Sequence, residues 1–95
     1  MKILAIERDV EGANWDNAEG LLKSEAQHVF DLYLSDTLRE IYFTENKNAV
    51  LILECQDKAM AKKMLDAFPL VKEGKIVFDL LELRPYNGYE RLIHE

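Results

Sequence analysis

Ile76-Val77-Phe78-Asp79-Leu80-Leu81-Glu82-Leu83 is apolar almost throughout, and its few polar positions follow no period of two. A strand with one wet face alternates apolar and polar residues, so this one reads as a strand with two dry faces. Ala49-Val50-Leu51-Ile52-Leu53 is an unbroken apolar run of the same kind. Both faces of the sheet that holds them therefore need cover. Only two segments carry a helical period. Between Glu19 and Asp36, the residues Leu22, Ala26, Val29, Phe30 and Tyr33 recur three and four apart. Between Asp57 and Phe68, the residues Ala61, Met64, Leu65 and Phe68 form a second stripe, with Asp57 placed as its N-cap. Two helices cover one face of a small sheet, which leaves the other face for a second chain, a ligand or both. If about eight large apolar side chains line that face, at roughly 1.5–3 kcal/mol each, their sum rivals the ~5–15 kcal/mol net stability of a domain. Association is expected to be close to obligatory.

The rest of the chain fits around these segments. Residues 2 to 8 read as a first strand, followed by a polar loop in which Trp15 is expected to act as an anchor. Ser24-Glu25 offers a cap for a shorter version of the first helix. Leu38 to Thr44 reads as a strand. Glu45-Asn46-Lys47-Asn48 then makes a polar turn whose asparagines tolerate positive φ, so that Leu38–Thr44 and Ala49–Glu54 form an antiparallel hairpin. Pro69 is expected to stop the second helix, and Pro85 to end the last strand, which spans about Ile76 to Arg84. The order is strand, helix, strand, strand, helix, strand. With right-handed crossovers this predicts an α+β, ferredoxin-like βαββαβ fold, a four-stranded antiparallel sheet with both helices on one face. Residues 1–95 are expected to make one such domain. Its tail, residues 86–95, carries Tyr86, Tyr89, Leu92 and Ile93, too much apolar surface for a free end, and is expected to dock over its own barrel or on a partner subunit.

The 95 residues are 48% hydrophobic and 32% charged, as in a soluble globular domain with a core of its own. Eighteen acidic against twelve basic residues give a formal charge of -6, whose field repels phosphate backbones, so no nucleic-acid partner is expected. Cys55 is the only cysteine; it can form no internal disulfide or thiolate-rich metal site, and it fits a reducing, cytoplasmic setting. The opening apolar run meets Glu7-Arg8-Asp9 too soon for a signal peptide or membrane span.

Thr37-Leu38-Arg39 entering the second strand, Leu53-Glu54 closing the third, Phe68-Pro69-Leu70 after the second helix and Asp79-Leu80-Leu81-Glu82-Leu83 in the last strand resemble the dimeric α+β barrel superfamily, and within it the muconolactone isomerase-like proteins. The ending Arg84-Pro85-Tyr86-Asn87-Gly88-Tyr89-Glu90-Arg91-Leu92 is similar to a subgroup of small relatives rather than to muconolactone isomerase itself. The resemblance implies a homodimer with two sheets packed face to face, assemblies of such dimers in some relatives, and isomerase-like chemistry.

Chemistry at apolar depth needs charged residues inside the strands. Glu7, Arg8, Arg39, Glu40, Glu54, Asp79 and Glu82 are those residues. Strict parity groups Arg39, Ile41 and Phe43 on one face and Leu38, Glu40, Tyr42 and Thr44 on the other. Arg39 facing Glu54 would bind an anion or move a proton, and this pair is the expected catalytic group; its bland alternative is a screened salt bridge at a strand end. Glu7, Tyr42, Asp79 and Tyr86 are expected to contact a ligand. His28 on a helix shoulder and His94 near the end have no second ligand at metal spacing, so no metal and no cofactor are expected. Cys55 is expected to be an inert buried thiol. These readings point to a binding protein or isomerase-like enzyme for a small carbonyl-bearing or aromatic-derived metabolite; the alternative is a non-catalytic dimeric module, regulatory or accessory.

Overall fold

A computed structural model describes residues 1–93. β1 (Lys2–Asp9), α1 (Glu19–Leu34), β2 (Leu38–Phe43), β3 (Ala49–Glu54), α2 (Lys58–Asp66), α3 (Pro69–Lys72) and β4 (Ile76–Leu83) follow in order, and a 3₁₀ turn spans Gly88–Leu92. The sheet order is β2-β3-β1-β4, with every neighbouring pair antiparallel. This is the ferredoxin-like α+β fold, and the apolar strands β3 and β4 flank β1 as their composition requires.

Register decides what each face carries. Ile3 pairs with Leu53 and Glu82, and Ala5 with Leu51 and Leu80, so these side chains share the face beneath the helices. Ile3, Ala5, Leu51 and Leu53 are buried there in one cluster with Ala61, Leu65 and Phe68, and Ile76 is buried on the same face. α2 forms because Asp57 Oδ1 accepts the Met60 N–H at 2.8 Å, satisfying one of the orphan donors of the first turn. Pro69 does end α2, yet it also occupies the first position of α3, where its missing N–H and fixed φ cost nothing. Gly74, at φ +71, then reverses the chain as Lys75 N–H donates to Leu70 O at 2.9 Å, returning it to β4.

α1 begins at Glu19, as its periodicity predicts, without a side-chain cap, and Ser24 lies inside it, so the shorter capped version does not form. Two expectations are corrected. In the hairpin turn the positive φ falls on Lys47, not on either asparagine, because the backbone N–H and the side-chain amide of Asn48 are occupied by Thr44 and Glu7. In β2, Leu38 faces Leu53 while Glu40 faces Ile52, so two steps on β2 match one on β3. This β-bulge makes Arg39 the extra residue and breaks the parity expected from sequence. Leu38, Ile41 and Phe43 consequently share the helix-side face, and Glu40 and Tyr42 the other.

The outer face carries Leu4, Ile6, Val50, Ile52, Leu81 and Leu83, half-buried or exposed in the single chain. The tail leaves the body: Tyr86, Tyr89, Leu92 and Ile93 are 69–84% exposed. Tyr86 and Tyr89 brace one another edge to face, with ring centroids 4.8 Å apart, but the tail makes no dock on its own barrel among the described residues. The radius of gyration of 15.9 Å and the 61 Å long axis reflect this projection; a compact chain of this length has a radius near ~12 Å. His94 lies outside the described residues.

Candidate functional site

α1 lays its apolar stripe over the sheet without burying it: Val29 and Leu32 pack against the core but stay half-buried. None of its residues is fully buried, and Phe30 and Tyr33 are 52% and 58% exposed. Between the helix and the sheet lies a cavity of about 1170 Å³, open to solvent. Leu38, Ala49, Leu51 and Phe78 form its sheet wall, and Leu22, Ala26, Val29, Phe30 and Tyr33 its helix wall. Phe68 and Leu70 line it from the α2–α3 junction, while Trp15, Ile41 and Phe43 also contribute. Trp15, expected to anchor its loop, is 39% exposed and lines the cavity.

Polar groups in this wall are few and mostly acidic. Glu7 follows Ile3 and Ala5 on the inward parity of β1. Its Oε2 accepts from Asn48 Nδ2 at 3.3 Å and from Ala49 N–H at 3.4 Å, which ties it to the β2–β3 hairpin. Glu25 sits within the apolar stripe of α1, three residues after Leu22 and four before Val29. Its Oε1 accepts the Leu70 N–H at 3.0 Å, supplying from α1 a partner for an orphan donor in the first turn of α3. Burial pushes the Glu25 carboxyl above the usual carboxylate range; the Leu70 hydrogen bond opposes this and the negative charge of Glu7 adds to it. A carboxyl raised by burial thus stands near a second carboxyl group in an apolar cavity, an arrangement able to donate and accept a proton at two points.

Of the residues expected from sequence, Glu7 alone lines this cavity. Arg39 and Glu54 are not joined by an ion pair. Glu54 Oε1 instead meets the Met1 ammonium at 3.2 Å, and Arg39, the bulge residue, is exposed and makes no ion pair among the described residues. Asp79 lies on the outer face, where Arg8 grips it with Nε to Oδ2 and with Nη2 to Oδ1 at 3.1 Å. That grip holds the Asp79 carboxyl below its ordinary range and raises Arg8. Tyr42, also on the outer face, donates to Glu40 Oε1 at 2.8 Å, and the acceptor pushes its phenol up. Tyr86 belongs to the projecting tail. Glu25 was missed by the sequence reading; the signal was an acid placed at the i+3 and i−4 positions of an apolar stripe. Burial pushes the Cys55 thiol up, as fits an unreactive buried sulfur, which lies 3.9 Å from Met64 Sδ. His28 packs edge-on against Phe68 with centroids 4.9 Å apart. Among the described residues no group of three or more His, Cys, Asp or Glu is placed to hold a metal ion, and no helix is long and apolar enough to cross a membrane.

No protein-family model matches this sequence, and no curated protein matches it. Among solved structures, it is similar to 5-chloro-2-hydroxyhydroquinone dehydrochlorinase from Burkholderia phenoliruptrix, in complex with 2,5-dihydroxybenzoquinone, at 16% identity and a TM-score of 0.61, over 88% of this chain and 94% of that one. The fold is shared. At this identity the likeness speaks for the ferredoxin-like architecture, independently of any family assignment.

Proposed function

We propose that the protein binds a small, largely apolar, carbonyl-bearing or aromatic-derived metabolite between α1 and the sheet and transfers a proton on it in an isomerase-like reaction. The observation that carries this reading is that the apolar stripe of α1 lines an open cavity over the sheet, with Glu7 and Glu25 the polar groups at depth. A sixteen-residue helix left with a wet apolar stripe is poorly supported by its own propensity. A bound ligand supplies the missing contact. Glu25, when protonated, is suited to donate to a ligand carbonyl oxygen while Glu7 takes a proton from a neighbouring carbon or hydroxyl group. The proton-transfer role expected of Arg39 and Glu54 falls in this reading to Glu7 and Glu25. The dehydrochlorinase of like fold, complexed with a quinone, favours a small cyclic ligand by analogy alone. The neutral fluorophore N-phenyl-1-naphthylamine tests the site: it is expected to brighten on binding, and Ala26→Trp, which fills the cavity from the helix wall, is expected to abolish the signal while the fold is kept. A signal that Ala26→Trp leaves unchanged places the apolar site elsewhere.

The outer face calls for a second copy. Leu4, Ile6, Val50, Ile52, Leu81 and Leu83 form a continuous apolar surface, and packing two such faces across a two-fold axis gives the dimer implied by the muconolactone isomerase-like resemblance. The projecting tail then finds its cover on the partner subunit. Sedimentation at micromolar concentration is expected to give a dimer, and Leu81→Lys to dissociate it; a stable, folded monomer of the unaltered chain overturns this assembly.

A further inference from the structure

We propose that the cavity between α1 and the sheet selects neutral ligands that carry a hydroxyl or carbonyl group and rejects carboxylate-bearing ligands of the same size. This deepens the reading above and rests on it. The residues in the wall that carry acidic or basic charge groups are Glu7, Asp9, Glu25 and Lys47, three carboxyl groups against one ammonium, and Tyr33 adds a phenol. Lys47 is exposed at the tip of the β2–β3 hairpin, a strongly hydrated head on a flexible stem rather than a planar fork aimed inward. The arginines nearest in sequence to the cavity elements are engaged or turned elsewhere: Arg8 is held by Asp79 on the outer face, and Arg39 occupies the bulge outside the cavity wall. His28 packs on Phe68 and is not part of the wall. An anionic ligand entering here would lose its hydration among apolar side chains and meet acids at depth. The field of a chain with formal charge -6 acts in the same direction.

The same groups welcome a hydroxyl. The observed hydrogen bonds use Oε2 of Glu7 and Oε1 of Glu25, which leaves Glu7 Oε1 and Glu25 Oε2 for a ligand. A phenolic or enolic O–H finds an acceptor in either carboxylate oxygen. A ligand carbonyl finds a donor in Glu25 when that acid holds its proton. Specificity of this kind comes from the penalty on the wrong ligand as much as from contacts with the right one.

The matched pair 2-naphthol and 2-naphthoate tests the inference, each displacing N-phenyl-1-naphthylamine from the full-length protein at neutral pH. Naphthol is expected to displace the fluorophore at a concentration lower by about tenfold or more, the scale of a like-charge contact at a desolvated site. Glu7→Gln, checked for folding by its amide spectrum, is expected to narrow the gap by strengthening naphthoate. Naphthoate binding as well as naphthol in the unaltered protein, or a gap unmoved in Glu7→Gln, overturns the charge selection while fluorophore binding leaves the cavity reading standing. Naphthoate binding that depends on Lys47, lost in Lys47→Ala, overturns it as well. Absence of fluorophore binding removes the cavity reading and the selection together.

Discussion

The two long helices on this sheet behave in opposite ways. α2, with nine residues, is capped by Asp57 and drives Ala61 and Leu65 into the core at 0% and 2% exposure. α1, with sixteen, has no side-chain cap and no fully buried residue. Length alone would rank them the other way round. An amphipathic stripe states which side of a helix turns inward; it does not state that the inward side touches anything. On the α2 side the sheet meets closely packed side chains and becomes core, whereas on the α1 side Val29 and Leu32 pack against that core but leave an open cavity beside them, the candidate site.

Truncation breaks or sharpens this contrast most forcefully. Leu65→Ala removes a fully buried side chain and is expected to cost about 2–5 kcal/mol in denaturant unfolding. Leu22→Ala, on the open cavity, is expected to cost less than about 1 kcal/mol, in the range of surface changes. Equal losses would mean that α1 packs as tightly as α2 and that the cavity closes in solution.

Acid titration gives a smaller effect with a definite sign. The Glu25 carboxyl is raised in the folded protein, so the fold retains this proton over a range where the unfolded chain has released it. Its contribution to stability is complete below the unfolded carboxylate pKa and is lost as pH climbs through the folded one. Glu25→Gln is expected to flatten that decline between acidic and neutral pH, as read from urea midpoints. Asp79, lowered by Arg8, has the opposite sign: its contribution is present above the ordinary carboxylate range and lost as pH falls through the lowered value. Removing both groups should leave the two slopes separately absent; a slope that survives Glu25→Gln unchanged shows that its carboxyl is not held in a dry setting.

The architecture was legible because β3 and β4 are apolar on both faces and because Leu65 and Phe68 fall on one stripe, features that tertiary context has little power to override. The positions of the acids were harder to read. Glu7 could be placed on a strand but not on a face, since facing depends on pairing register, and the pairing of β1 with β3 and β4 is non-local. Arg39 was misplaced for a related reason. A bulge carries no marker at Leu38-Arg39-Glu40, with neither glycine nor proline to announce it, and one unmatched residue undoes every parity drawn through it. Glu25 was overlooked because an acid beside Ser24 also reads as part of a cap for a shorter helix, which drew attention away from its place within the apolar stripe. The tail was expected to dock from its composition; composition can call for cover but does not say which chain provides it.

The Arg39 bulge also gives the hairpin an unusual relation to insertions and deletions. Because side chains on a strand alternate, one residue more or fewer acts on everything beyond it as a half-turn. With Leu38 anchored opposite Leu53, however, loss of Arg39 would remove the bulge and leave Glu40 opposite Ile52 and Ile41 opposite Leu51, so that Ile41 and Phe43 stay in the cavity wall. The bulge is thus a place on β2 where a single codon can be lost without rewriting the lining of the cavity.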